Sequence, residues 1–178
     1  MYFVFCSLYF LMSRILGIDH GTVRIGLALS DDMGMFAHPL KTLDASPMVE
    51  QEIATIVHQK RIGTVVLGLP LRMSGERGSA AERVDKFADR LRKFLPDEVR
   101  LEFVDERLTS SAAERSLGFE GKKLDREQKK LVDQVAAVAI LQDYLNMLSI
   151  TFRTYLEILL AAFQLLFVAP QRYLKHLT

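Results

Sequence analysis

Three acidic residues stand where a chain can hold a carboxylate rigidly. Asp19 follows the apolar run of residues 15–18, Glu106 follows the alternating run of residues 99–104, and Asp133 lies near the start of a long helical pattern. Carboxylates brought to one place repel each other, and at neutral pH they need a cation. All-oxygen ligands favour hard ions, so Mg²⁺ or Mn²⁺ is implied rather than Zn²⁺. Such a set suits phosphodiester hydrolysis, in which one ion lowers the pKa of a bound water and a second, about 4 Å away, stabilises the leaving oxygen. Each acid also has a plainer explanation. Asp is common in turns, Glu106 is otherwise an ordinary loop acid, and a helix dipole favours an acid in its first turn.

The elements that must gather these acids can be read from hydrophobic spacing. Residues 15–29, ILGIDHGTVRIGLAL, are two apolar runs around a tight turn. The pattern predicts a hairpin with strands at 15–18 and 25–29, the connection at 19–23, and Asp19 at a strand end. Residues 35–43 predict a third strand, which Pro39 confines to an edge or a strand end. Ser46-Pro47 predicts the start of a helix carrying Val49, Ile53, Ile56 and Val57 inward. Gly63 closes the next connection, and TVVLGL at 64–69 is an uncharged strand suited to a central parallel position. Residues 79–82, SAAE, have the form of a capping box, and Ala81, Val84, Ala88, Leu91 and Leu95 follow at helical spacing. A strand at 99–104, a short helix at about 110–117 and a polar stretch at 118–127 come next. The long helix, at about 126–147, turns Leu131, Val135, Val138, Leu141 and Leu145 inward.

This order predicts an α/β fold: a five-stranded mixed sheet, an antiparallel meander followed by parallel strands, flanked by helices. With the first strand central, the ends of the first and last strands lie close together. A helix crossing that edge brings Asp133 to the same point, and Ala136 and Ala137 on its face add almost no bulk.

Lys and Arg total 23 and Asp and Glu 22, so there is no global basic signal and any nucleic-acid contact must come from local patches. Residues 72–93 carry a net charge of +3 and residues 118–130 a net charge of +2. The single Cys6 excludes an internal disulfide and a cysteine-based zinc site, which fits a reducing cytoplasm. The three-part division expected is 1–12, an apolar extension or a misplaced start with Met12 as the alternative initiator; 13–146, the domain; and 147–178, an apolar helical extension. The first stretch lacks the leading positive charge and cleavage site of a signal peptide. The last is interrupted by Arg153 and Glu157, so it reads as a helix packing on the domain or a partner, with peripheral membrane contact second and no stable membrane span.

Four segments in this order resemble the YqgF family, also called RuvX, of the RNase H-like superfamily. They are GIDHGTVRIGLALSD at 17–31, VVLGLPLRMSG at 65–75, FVDERLTSSAA at 103–113 and DQVAAVAILQDYL at 133–145. The resemblance implies a metal-dependent nuclease that matures the 5′ end of 16S ribosomal RNA within the pre-ribosomal particle. An older family name implies a Holliday junction resolvase acting on branched DNA. The family's acidic positions fall on Asp19, Glu106 and Asp133, as catalytic residues and ligands of what would be two Mg²⁺ or Mn²⁺ ions. The family usually has Asn in the loop after GLP, where this chain has Arg72.

Around this set, Arg24 and Arg107 either hold the scissile phosphate or neutralise the acids. Thr22, Arg72 and Ser74 are candidate contacts to the RNA backbone. Lys122, Lys123, Lys129 and Lys130 are either a phosphate-binding flap or an ordinary solvated loop. His20 should point away from Asp19, because successive side chains of an extended segment face opposite sides. Three competitors remain at this point. GIDHGT also resembles the phosphate loop of actin-like ATPases and sugar kinases, although such enzymes close two domains around the nucleotide. A junction resolvase would act as a symmetric dimer, whereas the RNA reading accepts a monomer or a weak homodimer. A non-catalytic ribosome-assembly binder is the third.

Overall fold

The first strand, β1 (Arg14–His20), pairs antiparallel with β2 (Arg24–Ser30), and Asp19 lies directly opposite Gly26. The computed structural model describes residues 13–71, 74, 76–106, 117–118, 121 and 123–163, with side chains to residue 160. Both strands run further than their apolar runs, so the hairpin connection is residues 21–23, and Asp19 and His20 are strand residues rather than turn residues. Pairing of Asp19 with Gly26 and of His20 with Ile25 continues the ladder, and the His20 ring is held against Phe87, 4.4 Å between centroids. These contacts outweigh the turn preference of the local sequence.

The chain continues through β3 (Ala37–Asp44), α1 (Val49–Lys60), β4 (Ile62–Leu69), α2 (Ser79–Arg92), β5 (Arg100–Asp105) and α3 (Arg126–Phe163). The sheet order is β3-β2-β1-β4-β5, with β1 central, β2 and β3 antiparallel and β4 and β5 parallel to it. This is the five-stranded mixed sheet expected, an antiparallel meander followed by parallel strands. Pro39 sits on the edge strand β3, next to a register shift opposite Leu27 and Ala28. β4 is buried along nearly all its length, as a strand covered on both faces must be.

Local punctuation differs from the sequence expectation in two places. The turn between α1 and β4 is made by Arg61 in the left-handed conformation, φ 54°, while Gly63 is already in the strand. α2 begins one residue early for a capping box: extended Gly78 is its N-cap, its carbonyl accepts the Glu82 N–H at 3.1 Å, and no side chain caps it. The short helix expected at 110–117 falls mostly on residues 107–116, which lie outside the described residues.

One face of the sheet packs on α1 and α2. Val49, Ile53, Ile56 and Val57 of α1 and Ala81, Val84, Phe87, Ala88 and Leu91 of α2 are buried there. Thr64 on β4 is fully buried, and its hydroxyl has no hydrogen-bond partner among the described residues. Replacing it by the isosteric valine removes an unsatisfied polar group, so Thr64→Val should raise stability by about 1 kcal/mol in a urea melt. A destabilised variant would show that the hydroxyl is bonded in solution.

The other face carries α3. Its buried positions are Val132, Ala136, Ala137, Ile140, Leu141, Tyr144 and Leu145. Leu131 is exposed and Val135 and Val138 are only half-buried, so the inward stripe is rotated from the expected one. The reason is the small pair Ala136 and Ala137, which lets the helix approach the sheet on that side. α3 is also pinned to β3 and the turn before it: Thr42 Oγ1 donates to the Lys130 carbonyl at 2.9 Å, and Gln142 accepts from Ala37 N and donates to Met35 O.

Contacts divide the chain into a first unit, residues 1–145, and a second, residues 146–178. In the second unit, the described part is helical and exposes Ile150, Phe152, Tyr155, Ile158, Leu159 and Leu160. The helix Arg126–Leu160 is long enough to cross a membrane and contains an 18-residue window apolar enough to do so, with a mean hydropathy of 1.4. Half of that stretch is the core helix of the first unit, and a core helix passes the same test.

Candidate active site

Asp19 is the centre of the site, and two glycines explain how the other acids reach it. Gly26 lies opposite Asp19, and a Cβ there would overlap the main-chain oxygen of Asp133 and stand 3.2 Å from its Cβ. α3 therefore meets the sheet at Asp133 on the residue paired with Asp19. On the other side, β1 and β4 are in register up to Ile18 and Leu67, so Gly68 comes one step further along, beside Asp19. A Cβ on Gly68 would run into Glu106 Oε2 and stand 2.5 Å from Ile140 Cδ1. The Glu106 N–H donates to the Leu69 carbonyl at 2.9 Å, which anchors the acid just beyond β5.

The carboxyl oxygens do not form one ligand shell as they stand. Among the described residues, no group of three or more His, Cys, Asp or Glu side chains is gathered closely enough to hold an ion. Asp133 Oδ2 instead accepts from Arg24 Nε at 2.5 Å, with both side chains about one-fifth exposed. Arg24 thus neutralises an acid. The Asp19 carboxyl is pushed up to about 7, first by burial and then by the negative charge of Asp133. A buried acid destabilised by a neighbouring acid is a place where a cation lowers the free energy. The donor set is all carboxylate, which fits a hard divalent ion.

The atoms nearest Gly68 are the ends of flexible side chains, whereas those nearest Gly26 are backbone. Gly68→Ala should therefore fold with little loss of stability but displace the Glu106 carboxylate. A cleavage rate reduced roughly tenfold or more, with a melting temperature within a few degrees of the parent, is the expected pairing. An unchanged rate would separate Glu106 from the reaction.

A cleft of about 580 Å³ opens beside Asp133, lined by Thr22, Arg24, Lys123 and Lys129 among others. Thr22, Arg24 and Lys123 thus line one cleft with Asp133. Lys129 and Lys130 do not belong to a loose flap, because α3 starts at Arg126. Lys129 faces the cleft, while Lys130 is paired with Glu127 at 2.9 Å. Ser74 donates to Glu76 at 3.3 Å in the loop after β4 and does not line the cleft. Arg72, Arg107 and Lys122 lie outside the described residues. His20 points to the opposite face of the sheet, onto Phe87. Burial first, then the Arg90 and Arg83 guanidiniums, hold its imidazole below the ordinary value. Sequence reasoning missed Gly26 and Gly68 as supports of the site; the available signal was a glycine inside an otherwise apolar strand, which marks close approach.

Known proteins match this chain over the same residues. Residues 13–147 match the RuvX family, described as Holliday junction resolvase. A protein of Sulfurihydrogenibium sp. provisionally named a pre-16S rRNA nuclease is 41% identical over 138 residues, covering 78% of this chain and 93% of its own length. Proteins of the same name from Chloroflexus aurantiacus and Halalkalibacterium halodurans are 47% and 42% identical, covering 74% and 75% of this chain and 86% and 96% of theirs. With the family matched from the first strand of the sheet to a point inside α3 beyond Asp133, the chain belongs to the YqgF/RuvX family.

Proposed function

We propose that this chain is a metal-dependent nuclease that hydrolyses RNA phosphodiesters, processing the 5′ end of pre-16S ribosomal RNA. The observation that carries the reading is the convergence of Asp19, Glu106 and Asp133 on the Gly26 and Gly68 platform beside a basic cleft. The names of its relatives support the substrate. Asp19, Glu106 and Asp133 would hold Mg²⁺ or Mn²⁺, two ions in the full site. When bound, such ions supply a nucleophile ionised at neutral pH and positive charge for the leaving oxygen. Arg24 holds a phosphate oxygen of the substrate. Lys123 and Lys129 hold flanking phosphates and Thr22 donates to the backbone. The reading carries a cytoplasmic location, where pre-ribosomal particles are assembled, and needs no more than a monomer.

The family's description favours a second reading, resolution of branched DNA. Incubating the protein with precursor 16S RNA and with a DNA four-way junction, each with Mn²⁺ and with chelator, separates the two. Cleavage of the RNA alone, and only with Mn²⁺, is expected. Paired symmetric cuts in the junction with the RNA left intact would replace the RNA reading by the second.

RNA affinity should also fall with salt. For an RNA short enough to fill only this cleft, three cations on a single strand give a slope of about −2 in log K against log salt. A flat response would remove Arg24, Lys123 and Lys129 from substrate binding.

A further inference from the structure

A second cleft, of about 760 Å³, lies against the sheet face opposite the acids, between the β1–β2 turn, the start of α1 and the length of α2. Gly21 and Thr22 line both clefts, so the two meet at that turn. Along one side of the second cleft stand Arg83, Lys86, Arg90 and Lys93. Their spacing of three, four and three residues puts them on one helix face, a cation about every 5 Å along the axis.

The charges are not equivalent. Glu50, buried, is the one carboxylate lining this cleft among the described residues, and it accepts from Arg90 Nε at 2.6 Å. Arg90 is thereby neutralised and also lies over the Phe87 ring, 5.8 Å from its centroid. Arg83, Lys86 and Lys93 are exposed and have no ion-pair partner among the described residues. Phe94, 44% exposed, adds an aromatic face at the cleft's end. A row of regularly spaced cations suits a polyanion with repeating charge better than a single phosphate, and an exposed ring beside it suits a stacked base.

We propose that the second cleft binds the single-stranded RNA that flanks the cleavage point, so that the substrate strand passes from the acids over the Gly21–Thr22 turn and along α2. This rests on the nuclease reading, and extends it by assigning Arg83, Lys86 and Lys93 as contacts to substrate phosphates outside the catalytic cleft. It makes the enzyme select for an unpaired extension on one side of the cut, because a duplex cannot bend over a hairpin turn.

The test uses the full chain carrying Arg83→Gln, Lys86→Gln and Lys93→Gln together, with Lys60→Gln on the far end of α1 as a control. Two RNAs spanning the cleavage junction serve as probes, of about 4 and about 16 nucleotides, the range of single-strand site sizes on small folds. For the long RNA, the triple variant should bind at least tenfold more weakly, and its salt slope should shrink by about 2 units. Binding of the short RNA should change by less than twofold, and Lys60→Gln should match the parent on both. All the replaced side chains are exposed, and matching thermal melts confirm the fold. Equal affinity of triple variant and parent for the long RNA overturns the second cleft while leaving the nuclease reading intact. An equal loss on both RNAs also overturns it, because the charges then act on the catalytic cleft from a distance. A parent protein that neither binds nor cleaves either RNA overturns both proposals.

Discussion

Asp19→Asn should lower the cleavage rate by roughly 10³-fold or more, the scale of losing one preorganised charge-stabilising group, and should at the same time make the chelated protein more stable at neutral and alkaline pH. The two effects have one cause. The folded Asp19 carboxyl titrates near 7 against an ordinary value of 3.8. Between these values the unfolded chain has released its proton while the folded chain keeps it. The unfolded state therefore binds fewer protons, and stability falls as pH rises through this window, levelling above about pH 7. A shift of about three units corresponds to about 4 kcal/mol at most. Asparagine keeps the shape and cannot ionise, so that loss disappears. Urea melts with chelator at about pH 5 and about pH 8 should show the variant gaining on the parent as pH rises. Parallel pH profiles would mean that Asp19 is not held against its neighbour. Normal cleavage by the variant would remove it from the site.

Gly26→Val should be among the most damaging single changes in the sheet. Its added atoms would meet the Asp133 main chain, which cannot rotate aside as a side-chain end can. Either β2 or α3 must move. Overpacking of this kind costs about 3 kcal/mol, roughly 10 °C in melting temperature for a chain of this size. It also pushes Asp133 away from Asp19, so cleavage should be lost even at temperatures where the variant is folded. A variant that melts and cleaves like the parent would show that α3 does not lie on β2 at this point.

The sheet was legible because its strands are short apolar runs between glycines, prolines and polar clusters, and because the edge strand carries Pro39. The candidate acids stood out because Asp19 and Glu106 each end such a run and Asp133 lies near the start of a long helical pattern. What escaped was set by partners distant in the chain. Asp19 and His20 look like turn residues locally, yet Gly26 and Phe87 hold them extended. Ser79 looks like a cap, but the chain enters the helix from extended Gly78. The inward stripe of α3 follows the alanines rather than the largest apolar residues, because the glycines of the sheet invite the narrowest side of the helix. The pairing of Arg24 with Asp133 spans 109 positions and had no local signal beyond two opposite charges. The cation row of α2 was visible only as a local excess of positive charge; its orientation into a cleft needed the packing of Phe87.

The central claim is that Asp19, Glu106 and Asp133 share divalent ions. The direct measurement is Mn²⁺ affinity, by spectroscopic titration, for the parent and for Asp19→Asn, Glu106→Gln and Asp133→Asn. Losing an outer-shell partner alone typically costs 10–100-fold in metal affinity, so each of these variants should bind Mn²⁺ at least tenfold more weakly than the parent. Parental affinity in any of the three would show that its carboxylate does not take part in a shared ion site.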